Sequence, residues 1–282
     1  MSRRTASVGA ATAVILLLAA VIADAHDLFL RPRDFVVRSG GEVQVRVLNG
    51  TFTSSENAVA RNRLRDLVVV TPAGISHPDR SGWADSGKES HWRITLHEPG
   101  TNVLGASLEP RTIRLTGTQF DGYLREEGLP QVLAARKAAR QLGDSAHERY
   151  AKHVKALVRV EGARAVLPTA DTAYRVALGY AAELVPLDDP YRLRAGATLR
   201  VRALVDGRPV SNQVVQAGGR TTNGERIAQR EVRTDSVGIA RFRLETRGTW
   251  YVKFISMRSV PAAAGDSVNY ESKWATLTFG RH

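Results

Sequence analysis

A histidine that begins a chain can chelate a metal through two nitrogens, its α-amine and its imidazole Nδ1, and this sequence offers one. His26 follows the small-residue end Ala23-Asp24-Ala25, which closes a basic start (Arg3, Arg4) and an apolar run from Val8 to Ile22. That three-part pattern predicts a secretory signal peptide over residues 1–25, cut after Ala25. The apolar run is shorter than the roughly twenty residues that a membrane-crossing helix needs. An α-amine, with a pKa of roughly 7.7–8.0, supplies a neutral donor near physiological pH. Amine and imidazole nitrogens suit Cu(II), Ni(II) and Zn(II), with copper favoured by raw affinity. Asp27 is placed either to ligate the ion or to orient His26. The competing reading is that His26 merely opens a strand beyond the cleavage site.

Further ligands would come from His77, His91, His97, His147, His153, His282 or the carboxylates. His91 and His97 share one face of a predicted strand, but their spacing separates the two Cα atoms by about 20 Å. A straight strand cannot bring both to one ion, although either could meet His26 from a neighbouring strand; the alternative for each is a solvent-facing position. His147 and His153 have the same spacing, which on a helix points them to opposed sides. Asp188-Asp189 lacks the spaced oxygens of a calcium loop and reads as a turn. Cysteine is absent, which removes thiolate ligands, thiol nucleophiles, disulfides and lipid attachment at an N-terminal cysteine. There is no G-x-S-x-G elbow, P-loop or H-E-x-x-H pair. Glu126 and Glu127 would diverge on a helix rather than face each other across a substrate. The expectation is a protein without enzymatic activity, with oxidative copper chemistry at His26 as the minor alternative.

The elements that must hold these residues are mostly strands. Val43, Val45 and Val47 alternate with Gln44 and Arg46, and Trp92, Ile94 and Leu96 alternate with polar neighbours, so residues 26–118 read as a β domain. Between residues 119 and 158, Tyr123, Leu124, Leu129, Val132, Leu133 and Leu142 recur near helical spacing, and Ser145 stands three residues before Glu148 as a capping-box pair. From Tyr150 to Val160 the alternation of Val154, Ala156, Val158 and Val160 fits a strand equally well. From 159 to 282 strands return, and Asp206-Gly207 between two apolar alternations predicts a tight hairpin. The expected architecture is mainly β, two immunoglobulin-like β-sandwich-type domains with a short helical insertion between them. The 282 residues carry a formal net charge of +12. The basic residues are spread along the chain rather than gathered in an aromatic-laced motif, and an exported chain has no nucleic acid as its default partner. The charge fits a solvated basic face or attraction to anionic envelope polymers.

Several segments together resemble one family. They are His26-Asp27-Leu28-Phe29-Leu30-Arg31-Pro32 directly after the export signal, Leu184 to Tyr191, Thr234 to Gly238, Gly248 to Val252 and Tyr270 to Phe279. This combination resembles the bacterial DUF4198 family over nearly the whole mature chain. The resemblance implies a periplasmic all-β protein of a group once labelled nickel-transport components, with relatives that accompany cobalt or nickel uptake systems. It also marks one departure, since relatives often carry a histidine before the methionine of the penultimate strand, where this chain has Ser256 before Met257. The expected function is an exported periplasmic or secreted binding protein, without a membrane span after cleavage. It would capture a divalent transition metal (Ni, Co, Cu or Zn) at His26, Asp27, His91 and His97 for a membrane metal-uptake system. The rival expectation is a β-sandwich interaction module that binds an envelope polymer or a protein.

Overall fold

The computed structural model describes residues 26–162, 171–261 and 267–281. The expected signal segment 1–25 and the candidate ligand His282 lie outside the described residues. In chain order the elements are β1 (Asp27–Pro32), β2 (Val36–Arg38), β3 (Gly41–Gly50), β4 (Leu64–Thr71), β5 (Gly74–Ser76), β6 (Trp83–Ser86), β7 (Glu89–Leu96), β8 (Gly100–Leu108) and β9 (Arg111–Leu115), then α1 (Gly117–Glu126) and α2 (Pro130–Ala138). They continue as β10 (Ala146–Glu161), β11 (Ala182–Pro186), β12 (Thr198–Val205), β13 (Arg208–Pro209), β14 (Val214–Thr221), β15 (Arg226–Arg233), β16 (Ile239–Arg243), β17 (Gly248–Ser259) and β18 (Tyr270–Arg281). The chain is therefore mainly β.

Period-two alternation explains how the strands pack. A front sheet in the order β1-β3-β7-β6 lies against a ten-stranded central sheet, β15-β14-β17-β18-β10-β8-β4-β5, with β2 and β9 paired to β10. A smaller rear sheet holds β11, β12, β13 and β16. Val154, Ala156, Val158 and Val160 of β10 join Val43, Val45, Val47 and Trp92 in the front core. Leu157 turns the other way, into the rear core with Leu199, Val201, Trp250 and Leu277. A strand in the middle layer needs apolar residues on both faces, and the central part of β10 has them. Two sandwich-like interfaces thus share one sheet, which takes strands from both sides of residues 118 and 158.

The helical expectation over residues 119–158 is corrected in its second half. Helix α1 opens with a capping box in which Thr116 and Gln119 satisfy each other's backbone N–H groups, and α2 begins on Pro130. Both helices lay Phe120, Tyr123, Leu124 and Val132 on Tyr150, Ile255, Tyr270 and Trp274 of the central sheet. Residues from Ala146 onward form β10, parallel to β18, with Glu148 opposite Tyr270. Ser145 and Glu148 therefore cap no helix, because long-range pairing outweighs a local spacing. The Asp206-Gly207 hairpin is present, with positive φ at both residues (49° and 74°) as a type I′ turn requires. Its return arm is only β13, after which the chain crosses into the central sheet.

The free edge of β1 faces the central sheet. The hydroxyl of Thr276 donates to the Leu28 carbonyl at 2.7 Å, and that of Thr278 donates to the Leu30 carbonyl. These bonds occupy carbonyls that an unpaired edge would leave open, and they hold the residues that follow His26. No helix among the described residues is long and apolar enough to cross a membrane.

Candidate metal centre at the start of the first strand

His26 sits immediately before β1 with its side chain 27% exposed, and its Nε2 lies 2.8 Å from Oε2 of Glu56 in the loop after β3. The Glu56 N–H donates to the Asn49 carbonyl at 3.0 Å, which fixes that loop on the end of β3. Lys152 of β10 reaches across from the central sheet and donates to the His26 carbonyl at 2.5 Å and to Oδ1 of Asn49 at 3.0 Å. The ammonium of Lys152 also lies over the rings of Tyr150 and Trp274, at 5.3 and 5.4 Å. A neutral imidazole that donates Nε2–H to a carboxylate keeps its lone pair on Nδ1. That is the nitrogen that closes a six-membered chelate ring with an α-amine on the same residue.

Asp27 points away from His26, as the next residue of a strand must, and enters a buried charged seam below the helices. Lys253 of β17 donates to Oδ2 of Asp27 and, at 2.8 Å, to Oε2 of Glu127 at the end of α1. Oδ1 of Asp27 is buried without a hydrogen-bond partner among the described residues. Farther along the seam, Glu148 accepts hydrogen bonds from Tyr123 at 3.2 Å and from Ser272 through Oε1, while its Oε2 is buried without a partner. Burial, followed by the negative charge of Asp27, pushes the Glu127 carboxyl up to about 7. Burial also raises Glu148 to about 6. Burial acts to lower Lys253, but the charges of Asp27 and Glu127 outweigh it and hold the ammonium above its ordinary value.

These shifts carry a sign that can be tested. A carboxyl whose folded pKa lies above its unfolded value contributes stability that is fully present below the unfolded pKa and is lost as pH rises through the folded one. For Glu127 that loss runs from about 4.5 to about 7. Urea unfolding of Glu127→Gln beside the native chain is expected to show the variant gaining on the native protein across that window, whereas a constant difference would contradict the assignment. His153 pulls the other way. Its burial among the strands depresses it to about 4, so its contribution is present above its ordinary value and fades as the solution is acidified.

The other predicted ligands do not gather at His26. His91 lies opposite Arg46, and Arg46 is four positions along β3 from Gly50, the partner of Asp27. That places His91 about 13 Å along the sheet and two strands across from the start of β1. His97 follows Leu96, which pairs with Gly41, at the far end of β3, about 30 Å from Gly50. His77 bonds Asp66, His147 bonds Ser267 and His153 bonds Ser107. Asp188 is held by Arg200, and Asp189 accepts from Thr101 and the Tyr191 N–H, so the pair acts in structural contacts. Ser256 lies three positions from Lys253, hence on the face of the central sheet opposite the charged seam. A histidine there could not have joined His26. Among the described residues no three His, Asp or Glu side chains form a group able to hold a metal ion.

The sequence does not single out Glu56, Lys152 or Lys253, and it presents Glu127 only beside Glu126 as a pair that diverges on a helix. The legible signal was a lysine at an inward strand position, since Lys253 lies between Tyr251 and Ile255 on one face and is only 6% exposed. A buried ammonium needs a charged or hydrogen-bonding partner, but its partners lie more than a hundred residues away.

Comparison with curated proteins gives no match. Among solved structures, the chain is similar at a TM-score of 0.23 and 11% identity to the tetra-tandem repeat in the extending region of a large adhesion protein, covering 90% of this chain and 49% of that one. The chain thus spans about half the length of that structure, and a likeness at this score carries no argument about fold or function. The family comparison is decisive: a family model described as a domain of unknown function matches residues 23–258, and the chain belongs to the DUF4198 family.

Proposed function

We propose that this chain, exported and cut so that His26 is its first residue, captures a divalent transition metal ion (Cu, Ni, Co or Zn) and passes it to a membrane uptake system. The observation that carries the reading is the 2.8 Å contact of His26 Nε2 with Glu56, which leaves Nδ1 as the donor nitrogen on the side of the α-amine. Lys152 holds the carbonyl of the same residue, so the backbone and the ring that would form the chelate are both restrained. Preorganisation of this kind lowers the entropy lost on binding. A chelate of two nitrogens leaves coordination positions open, which suits an ion that must be handed on.

Titration of a chain beginning at His26 with Cu(II), Ni(II), Co(II) and Zn(II) tests the reading. One-to-one binding is expected, absent in His26→Ala and weakened about 10–100-fold in Glu56→Gln, the range found when the partner that orients a ligating histidine is lost. Equal affinities in the native chain and His26→Ala would overturn it.

A further inference from the structure

The outer face of the front sheet carries a row of basic side chains, two of them arginines directly opposite each other. Arg31 of β1 lies directly opposite Arg46 of β3, and Arg46 directly opposite His91 of β7. The neighbouring residues Leu30, Val45, Val47 and Trp92 fill the front core, so the three polar side chains share the opposite face. Like charges at directly opposed cross-strand positions destabilise a sheet. Glu89 partly offsets this row, accepting from Nε of Arg46 at 2.8 Å and from its Nη2. Arg31 makes no hydrogen bond to Glu89 and feels its charge only at a distance. Its guanidinium donates to the Phe52 carbonyl at 3.0 Å and lies over the Phe52 ring at 5.0 Å, and it forms no ion pair among the described residues. Burial, together with the charges of Arg46 and Arg220, lowers its pKa from the ordinary value.

Between these side chains lies a cavity of about 300 Å³, lined by Arg31, Pro32, Arg33, Gln44, Arg46 and His91. Three of the six are arginines; Glu89 holds the fork of Arg46, and the guanidinium groups of Arg31 and Arg33 are the ones that can offer an oxyanion parallel hydrogen bonds. Gln44 adds an amide donor, and Phe52 holds the Arg31 fork in one orientation. An anion seated here would relieve the Arg31–Arg46 repulsion, which the charge of Glu89 offsets only in part at Arg31.

We propose that this cavity binds a phosphate group, held between Arg31 and the Arg46–His91 pair with Arg33 at its rim. The site is separate from His26 and does not depend on metal capture. The same group can arrive as free inorganic phosphate or as the headgroup of an anionic lipid, and the test distinguishes them.

Inorganic phosphate is titrated calorimetrically into the mature chain at low ionic strength, against chloride of matched ionic strength to remove general screening. Sedimentation with phosphatidylglycerol vesicles, compared with phosphatidylcholine vesicles, forms the second arm. Arg31→Gln removes the central charge. Arg33→Glu reverses one at an exposed position and keeps the test valid if Arg31→Gln disturbs packing around Phe52. Saturable phosphate binding, weakened about tenfold or more in both variants, is expected from the loss of a charged hydrogen-bond donor. Sedimentation with anionic vesicles alone, lost in both variants, supports the site with a lipid headgroup as its source. Binding of neither probe, or binding that both variants leave unchanged, overturns the proposal.

Discussion

Replacing Lys253 by methionine is expected to cost about 3–5 kcal/mol of stability near neutral pH, the range for removing one partner of a buried ion pair. The side chains involved are largely shielded, with Lys253 7%, Asp27 13% and Glu127 18% exposed. Methionine fills much the same space, so the effect isolates the charge. Without the ammonium, Asp27 and Glu127 become two carboxylates facing each other in a seam that already raises Glu127. Glu127 would take up a proton, and the variant should recover part of its loss as the solution is acidified. Urea unfolding on both sides of neutrality measures this. A loss under about 1 kcal/mol, independent of pH, would mean that the seam is wet enough to need no counter-ion. The consequence reaches the candidate metal centre, because Asp27 is the residue that ties the first turn of chain after His26 to the central sheet.

A loss of similar size is expected from Glu183→Gln in the rear layer. Lys155 of β10 and Glu183 of β11 form an ion pair in which the two side chains are 3% and 1% exposed. Glu183 also accepts from the N–H groups of Leu178 and Gly179, so one carboxylate joins the central sheet, the rear sheet and the loop between them. Burial lowers the Lys155 pKa despite the pairing, and removing its partner leaves a charge with no route to water. The single change should therefore cost about 3–5 kcal/mol, while Lys155→Met combined with Glu183→Leu should restore most of it, since apolar replacement of a whole buried pair is often neutral or stabilising. A double variant no better than the single one would show that the hydrogen bonds to Leu178 and Gly179, rather than the charge, dominate.

What the sequence made legible follows from the range of the interactions involved. The strand character of Val43–Val47 and Trp92–Leu96 was readable because alternation is a local pattern, and so was the Asp206-Gly207 turn, whose positive φ values are a property of two residues. The segment after Ser145 was not, because its fate rests on pairing with β18 more than a hundred residues on. There Glu148 serves as a buried acceptor for Tyr123 and Ser272 rather than as a helix cap. The capping box of Thr116 with Gln119 has the same spacing as Ser145 with Glu148, and because that spacing is common only the surrounding fold tells the two apart. At the candidate site, the role proposed for His26 rests on its place after the expected cleavage site, which is a local pattern. Its partner Glu56 and its anchor Lys152 depend on how three distant strands converge, and the misplacement of His91 and His97 came from not knowing the register that sets them along the front sheet.

The most direct test of the account compares Cu(II) binding to a chain that begins at His26 with binding to the same chain carrying a Gly-Ser extension long enough to move the α-amine away from the imidazole. Mass spectrometry confirms each N-terminus, and electron paramagnetic resonance reads the nitrogen donors on the bound ion. The account predicts a one-to-one complex with amine and imidazole nitrogens for the first chain and its loss from the extended one. The same affinity and the same spectrum from both chains would contradict a chelate at His26.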